Sequence, residues 1–179
     1  MFSLATVIVA DTEVAAHQKL GEYRRHVDKE GALALMSGWT GVDLSTYGHD
    51  QEIRYIENDA GRSAMENVTR HEPDRVWTVG AIAEHVGIGG QGPVFVGSPA
   101  QVCDALEAWI ATTDVDGFNL AYAVSPETFA DIVTLVVPEL QRRGRFKRDY
   151  APGTLREKLF GHARLDDTHP ARRHRYKAR

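Results

Sequence analysis

The stretch from Gly92 to Gly144, GPVFVGSPAQVCDALEAWIATTDVDGFNLAYAVSPETFADIVTLVVPELQRRG, decides the fold, because it reads strand, helix, strand, helix with punctuation at each joint. Pro93 to Val96 is a short apolar run rich in β-branched residues, and Gly97 breaks it. Ser98, Pro99 and Gln101 then form a helix start: a cap, a residue with preset φ at the first helical position, and the third-position partner of a capping box. Val102, Ala105, Leu106, Trp109 and Ile110 recur at helical spacing on one stripe. Asp114 and Asp116-Gly117 turn the chain into a second strand, Phe118 to Tyr122. Ser125-Pro126 repeats the Ser-Pro start, Phe129 to Leu140 continues as a helix, and Gly144 is placed to end it. Two strand-to-helix units in a row imply parallel strands joined by right-handed crossovers. The class is α/β.

Upstream, Leu4 to Ala10 is a continuous apolar run, as expected of a strand covered on both faces. Asp11-Thr12 open a helix that continues to about Val27, which makes a third strand–helix unit. Helix-forming residues from Glu30 to Met36 lead to Ser37-Gly38. From Ser37 to Arg75 periodicity is lost, and short helical turns are expected only near Asp43–Ser45 and Ala60–Thr69. Loops this long inside a compact domain are functional or disordered, and Trp39, Tyr47 and Tyr55 make this one aromatic. It reads as an insertion or lid over 37–75. Thr78 to Gly87 is a short amphipathic helix. It resembles the first half of a helix-turn-helix, yet Gly-rich residues and a strand follow it where a recognition helix should stand. Gly87, Gly89 and Gly92 satisfy GxGxxG, but that fingerprint must follow a strand and open a helix, and this one does the reverse. Residues 1–161 form the α/β domain, with a short capped helix over Ala151–Gly161 that could tuck Leu155, Leu159 and Phe160 against it. Residues 162–179 form a basic tail, expected to be flexible, extended or disordered.

The chain holds 179 residues, with 21 Lys+Arg, 25 Asp+Glu and a net charge of −4. From Arg142 onward there are 13 Lys+Arg and 4 Asp+Glu, leaving 8 and 21 for the first 141 residues. A basic tail on an acidic body suits docking on an acidic surface more than nucleic-acid binding. The one cysteine, Cys103, falls among the stripe residues of its helix, so it reads as a small buried hydrophobe, and no disulfide framework can form within the chain. No run is long and apolar enough to span a bilayer, and no signal segment stands out. A cytoplasmic protein is expected. The histidines lack ligand spacing, so no metal site is expected. No nucleophile elbow, P-loop or paired-carboxylate helix is present. What remains is positional, since α/β sheets present ligand groups at the carboxyl ends of their strands. Asn119, Tyr122 and Ser98 are the cofactor- or substrate-facing candidates, and the catalytic residues stay unassigned.

Several segments together resemble a known family: Gly92 to Val102, Asp116-Gly117-Phe118-Asn119-Leu120, Val137 to Gly144, and Gly153-Thr154-Leu155-Arg156-Glu157, with Ser37-Gly38, Gly41 to Ser45 and Trp77 to Gly92 in support. They are similar to the C-terminal part of the nitrilotriacetate monooxygenase component A and dibenzothiophene-sulfone monooxygenase group, within the bacterial luciferase-like flavin monooxygenases. The resemblance implies a TIM (β/α)8 barrel, FMN delivered reduced by a separate flavin reductase, O2 as co-substrate and oxygenation of a small organic substrate. A barrel needs eight units and about 250 residues, and three units are present. The expectation is therefore the C-terminal portion of a barrel, inactive alone, whose flavin-phosphate residues lie in an N-terminal part upstream. Three strands would leave edges open, so a homo-oligomer or pairing with the missing part is expected. The rival reading is a non-enzymatic binding or assembly module that uses the partial sheet and the basic tail.

Overall fold

The computed structural model describes residues 1–53 and 76–174. The helical turn expected at Ala60–Thr69, and Tyr55 with it, lies outside these residues. Strands β1 (Phe2–Val9), β2 (Val94–Gly97) and β3 (Gly117–Ala121) form one parallel sheet in the order β2-β1-β3. Consecutive units of a barrel would place β2 between its chain neighbours; here β1 takes the centre. Its length permits this. β2 pairs with the carboxyl half of β1 (Thr6 to Val94, Val9 to Gly97), and β3 with the amino half (Phe2 to Gly117, Thr6 to Ala121). Only an eight-residue strand can serve both edges at that stagger.

Ala5 through Val9 are all buried, so the continuous apolar run does reflect a strand covered on both faces. Val7 and Val9 pack with Val102, Cys103 and Leu106 of α4 (Pro99–Thr113) and with Ile132 and Val136 of the helix that follows β3. Thr6, of the opposite parity, donates its hydroxyl to the Ile88 carbonyl at 3.5 Å, near the end of α3 (Val79–Gly89).

The helix starts follow local chemistry. Thr12 caps α1 (Glu13–Arg25) by accepting from Ala15 N at 3.2 Å, Asp28 caps α2 (Lys29–Thr40), and Thr78 caps α3. At α4 the full capping box forms, with Ser98 N donating to Gln101 Oε1 at 3.0 Å. The second Ser-Pro pair behaves differently. α5 (Glu127–Asp131) begins with no side-chain cap bond, and the Thr128 hydroxyl instead accepts from Ala123 N and Val124 N at 3.2 and 3.1 Å. α5 passes through a π-helical stretch, Ile132–Val136, into α6 (Val137–Arg142). Gly144, at φ 70°, closes α6 in a Schellman turn, with Gly144 N donating to Gln141 O and Arg145 N to Leu140 O.

The start of the 37–75 excursion is packed. Val42, Leu44 and Ile53 are buried together with Met36 of α2 and with Trp77, Val79, Ile82 and Val86 around α3, forming a second apolar core. The sequence hides this because the buried residues lie too far apart to show a period. Beyond α6 the expectation of a tucked helix fails. α7 (Leu155–Phe160) has its capping box, Thr154 N to Glu157 Oε2 at 2.6 Å, but Leu155, Leu159 and Phe160 are 72%, 60% and 60% exposed. Phe160 satisfies itself locally, with the Arg156 guanidinium 5.0 Å from its ring centre. Within the tail, Pro170–His174 forms a 3-10 turn.

α6 is clamped to α4 by charge. Arg143 donates to Glu139 Oε1 at 2.7 Å within its own helix and to Asp104 Oδ1 at 2.6 Å across to α4. Hydrogen bonds from Arg142 and Arg143 pull the Glu139 carboxyl from its ordinary 4.5 down to about 2. A depressed carboxylate contributes stability above its unfolded pKa and loses it as pH falls through the folded one. We expect the thermal midpoint to drop between about pH 4.5 and 2, and Glu139→Gln to flatten that part of the profile; an unchanged slope would discount the clamp. At the entry to β2, a Cβ on Gly92 would stand 2.6 Å from the Leu4 carbonyl oxygen, which is backbone of the central strand. Gly92→Ala is expected to cost about 1–3 kcal/mol through forced strand displacement, read as a lower urea midpoint.

Candidate functional site

The carboxyl ends of the strands converge on one rim. Ala10 N bonds to Gly97 O at 3.4 Å, joining the ends of β1 and β2, and Gln101 Nε2 donates to Glu13 Oε2 at 2.8 Å, joining the helices that leave them. Of the three candidate residues, Ser98 stands at this rim with its hydroxyl committed to Gln101, donating to Oε1 at 2.9 Å. Tyr122 follows β3, is 59% exposed, and packs its ring on Phe129 with centroids 5.7 Å apart. Asn119 is exposed in the middle of β3, in register with Leu4, away from the rim. The structure thus puts Ser98 and Tyr122 at strand ends and leaves Asn119 apart.

Sequence reasoning missed the charged cluster beside the rim. Lys19 of α1 reaches across to the helix after β3, donating to Asp131 Oδ2 at 2.6 Å, with Glu127 Oε1 at 3.3 Å and the Val9 carbonyl at 3.4 Å. Burial alone would pull Lys19 down, but hydrogen bonding and charge from Asp131, with Glu127 behind it, raise its pKa. Burial raises the Tyr23 phenol as well, and the Glu127 charge adds to it. Lys19, Tyr23, Glu127, His26 and Val124 line a cavity of about 560 Å³. The signal was present as two four-residue spacings, Lys19–Tyr23 and Glu127–Asp131, each on one helix face. Nothing in the chain said that the two faces meet.

Chemically the cluster is a closed ion-pair set. Lys19 is held protonated and Tyr23 is kept neutral, so neither is a base near neutral pH. Burial pushes Cys103 to about 11, and its thiol faces the Val136 carbonyl at 3.9 Å, a structural and not a nucleophilic setting. Among the described residues, no group of three His, Cys, Asp or Glu side chains is placed to hold a metal ion. A flavin needs two things: a flat apolar wall for its ring system and donors for its phosphate. Exposed Tyr122, with Phe129 tilted 55° to it, and Val124 offer apolar surface for the first, though not one flat wall. The rim fits the second poorly, because the hydroxyls of Thr12 and Ser98 cap helices and Lys19 is neutralised.

No family model matches the chain. The dimethyl-sulfide monooxygenase of Hyphomicrobium sulfonivorans is 45% identical over 177 residues, covering 98% of this chain and 37% of that enzyme. The crystal structure of DmoA from Hyphomicrobium sulfonivorans superposes at a TM-score of 0.82 with 44% identity, over 96% of this chain and 36% of that one. This chain is a relative of the luciferase-like flavin monooxygenases. It spans little more than a third of the length of the relatives it matches. A riboflavin lyase crystallised with modified FMN and riboflavin also superposes, at a TM-score of 0.76 and 28% identity, over 98% of this chain and 39% of that one. Against the barrels of the luciferase-like enzymes, the three-stranded parallel sheet is a partial α/β fold.

Replacing Lys19 by Met strands Asp131 and Glu127 beside each other. We expect a loss of about 1 kcal/mol, held low by solvent screening at the half-exposed Glu127. Lys19→Met/Asp131→Asn should recover part of it in urea unfolding, and a double variant no more stable than the single one would remove the cluster from the account.

Proposed function

We propose that this chain forms the back part of a two-component, FMN-dependent monooxygenase that oxygenates a small organic substrate with O2. The single observation that carries the reading is 45% identity across 98% of the chain to a monooxygenase. The flavin, arriving reduced from a separate reductase, supplies the electrons and the oxygen chemistry when bound. The chain's own share is positional. Exposed Tyr122, braced by the tilted ring of Phe129, offers an aromatic face against which a ring system can lie, and Ser98 marks a strand end. The Lys19 cluster ties α1 to α5 and so holds that face in place. Donors for the phosphate come from outside the described rim. The reading sets the protein in the cytoplasm, where a reductase can deliver its product. Among the described residues, no helix is long and apolar enough to cross a membrane.

The test is a chimera in which residues 1–179 replace the matching third of the Hyphomicrobium dimethyl-sulfide monooxygenase. With a flavin reductase, the chimera should consume O2 in a substrate-dependent way, and Tyr122→Ala should lower turnover about tenfold or more, the range that loss of a positioning contact produces. The isolated chain should show no turnover. A folded chimera that binds flavin but gives no substrate-dependent uptake would sink the proposal. The rival reading as an assembly module would gain if FMN left the melting of the chimera unchanged.

A further inference from the structure

A second cavity, of about 510 Å³, lies on the helix-covered face of the sheet. Its floor is Val7, Phe118 and Leu120. These point to one side, because Phe118 and Leu120 stand in register with Ser3 and Ala5, which share the parity of Val7. Leu106 and Ile110, one turn apart on α4, form one wall, and Ile132 and Val136 form the other. That second wall is the π-helical stretch, in which Val137 N donates to Ile132 O five residues back. Pro138 follows it and has no N–H to return the ladder to Thr134. π turns inside helices recur at functional sites.

The chain after α6 folds over the open side of this space. Arg145 reaches Glu107 of α4 at 3.3 Å, Gln141 Nε2 donates to the Lys147 carbonyl at 2.9 Å, and Arg148 Nη2 donates to the Gln141 carbonyl at 3.2 Å. Phe146 is thereby held at the mouth, half-exposed. A mouth tied down by the chain's own hydrogen bonds admits a small molecule and leaves no room for a further helix or strand. The volume falls within the roughly 300–1,000 Å³ of small-molecule pockets. The contents follow from the walls. Protein interiors leave few voids larger than a water, and a water between apolar walls lacks the polar partners it needs. A charge of either sign finds no partner inside, and at the mouth Arg145 already faces Glu107.

We propose that this cavity is a binding site for an uncharged, apolar small molecule, held between β3, α4 and the π-helical stretch beneath Phe146. It shares no residue with the strand-end rim or with the cavity around Lys19. The inference therefore does not depend on the reaction proposed above.

The test is a fluorescence titration of residues 1–179 with N-phenyl-1-naphthylamine, an uncharged dye that brightens in apolar surroundings. It should show one saturable site per chain. 1-Octanol should displace the dye, and octanoate, charged at neutral pH, should compete about tenfold more weakly, because its carboxylate has no partner inside. Ile110 is 40% exposed at the edge of the cavity, so a larger ring there fills the space without entering either core. Ile110→Trp should weaken dye binding about tenfold with an unchanged far-ultraviolet spectrum. Phe146→Ala opens the mouth and should speed dye release by about the same factor, an independent readout should the first variant unfold. Tyr122→Ala, at the rim, should leave the affinity as it is. The absence of saturable binding would overturn the proposal. So would octanoate competing as well as 1-octanol, or dye binding lost with Tyr122→Ala and kept with Ile110→Trp.

Discussion

The structure depends on the double burial of β1. A strand with five successive buried residues must find cover on both faces and partners on both edges, and the sheet with its covering helices answers those four demands. α4 and the helix after β3 cover Val7 and Val9, and the end of α3 accepts the Thr6 hydroxyl on the other side. β2 and β3 take the two edges, each along a different half of the strand. Thr6 stands where the halves overlap, paired to Val94 on one side and Ala121 on the other. A polar side chain at the most enclosed point of the sheet is tolerated because its hydroxyl has a carbonyl to meet.

Much of this was legible from residues alone, because its causes are local. The Ser98–Gln101 capping box, the Thr78 cap and the Gly144 stop are short-range chemistry, and each stands where its spacing placed it. The burial of β1 was written in the unbroken run from Leu4 to Ala10. Strand order was not legible, since which edge a strand chooses depends on length and stagger across residues more than eighty positions apart. Ser125-Pro126 misled because its pattern matches Ser98-Pro99, while the hydroxyl that receives the strand-end amides belongs to Thr128. Leu155, Leu159 and Phe160 misled in the opposite way, as apolar spacing foretells a buried face without saying which molecule buries it.

The candidate site divides along the same line. Tyr122 could be picked because a strand end is a position, and the backbone pattern reveals positions. The Lys19–Asp131–Glu127 set could not, because its members come from helices 112 residues apart in the chain and meet only once the sheet has formed. That set explains why the rim is rigid in its charge as well as its backbone. One ammonium facing two carboxylates leaves a single negative surplus beside the aromatic face, a setting that favours neutral or cationic groups over a phosphate.

The central placement of β1 also fixes an order of events during synthesis. Within this segment β1 precedes both of its partners, and Phe2 waits for Gly117 before its second edge is closed. At the usual 5–20 residues per second this interval lasts on the order of 6–20 s. During it the amino half of β1 has no partner on that edge, while α1, α2 and α3 can already assemble the separate core around Met36 and Ile82. Loop closure over that span is a large entropic step that the last strand must repay at once. The second core therefore has a temporal role besides its structural one: it gives the growing chain a folded body to shelter β1 before the sheet exists.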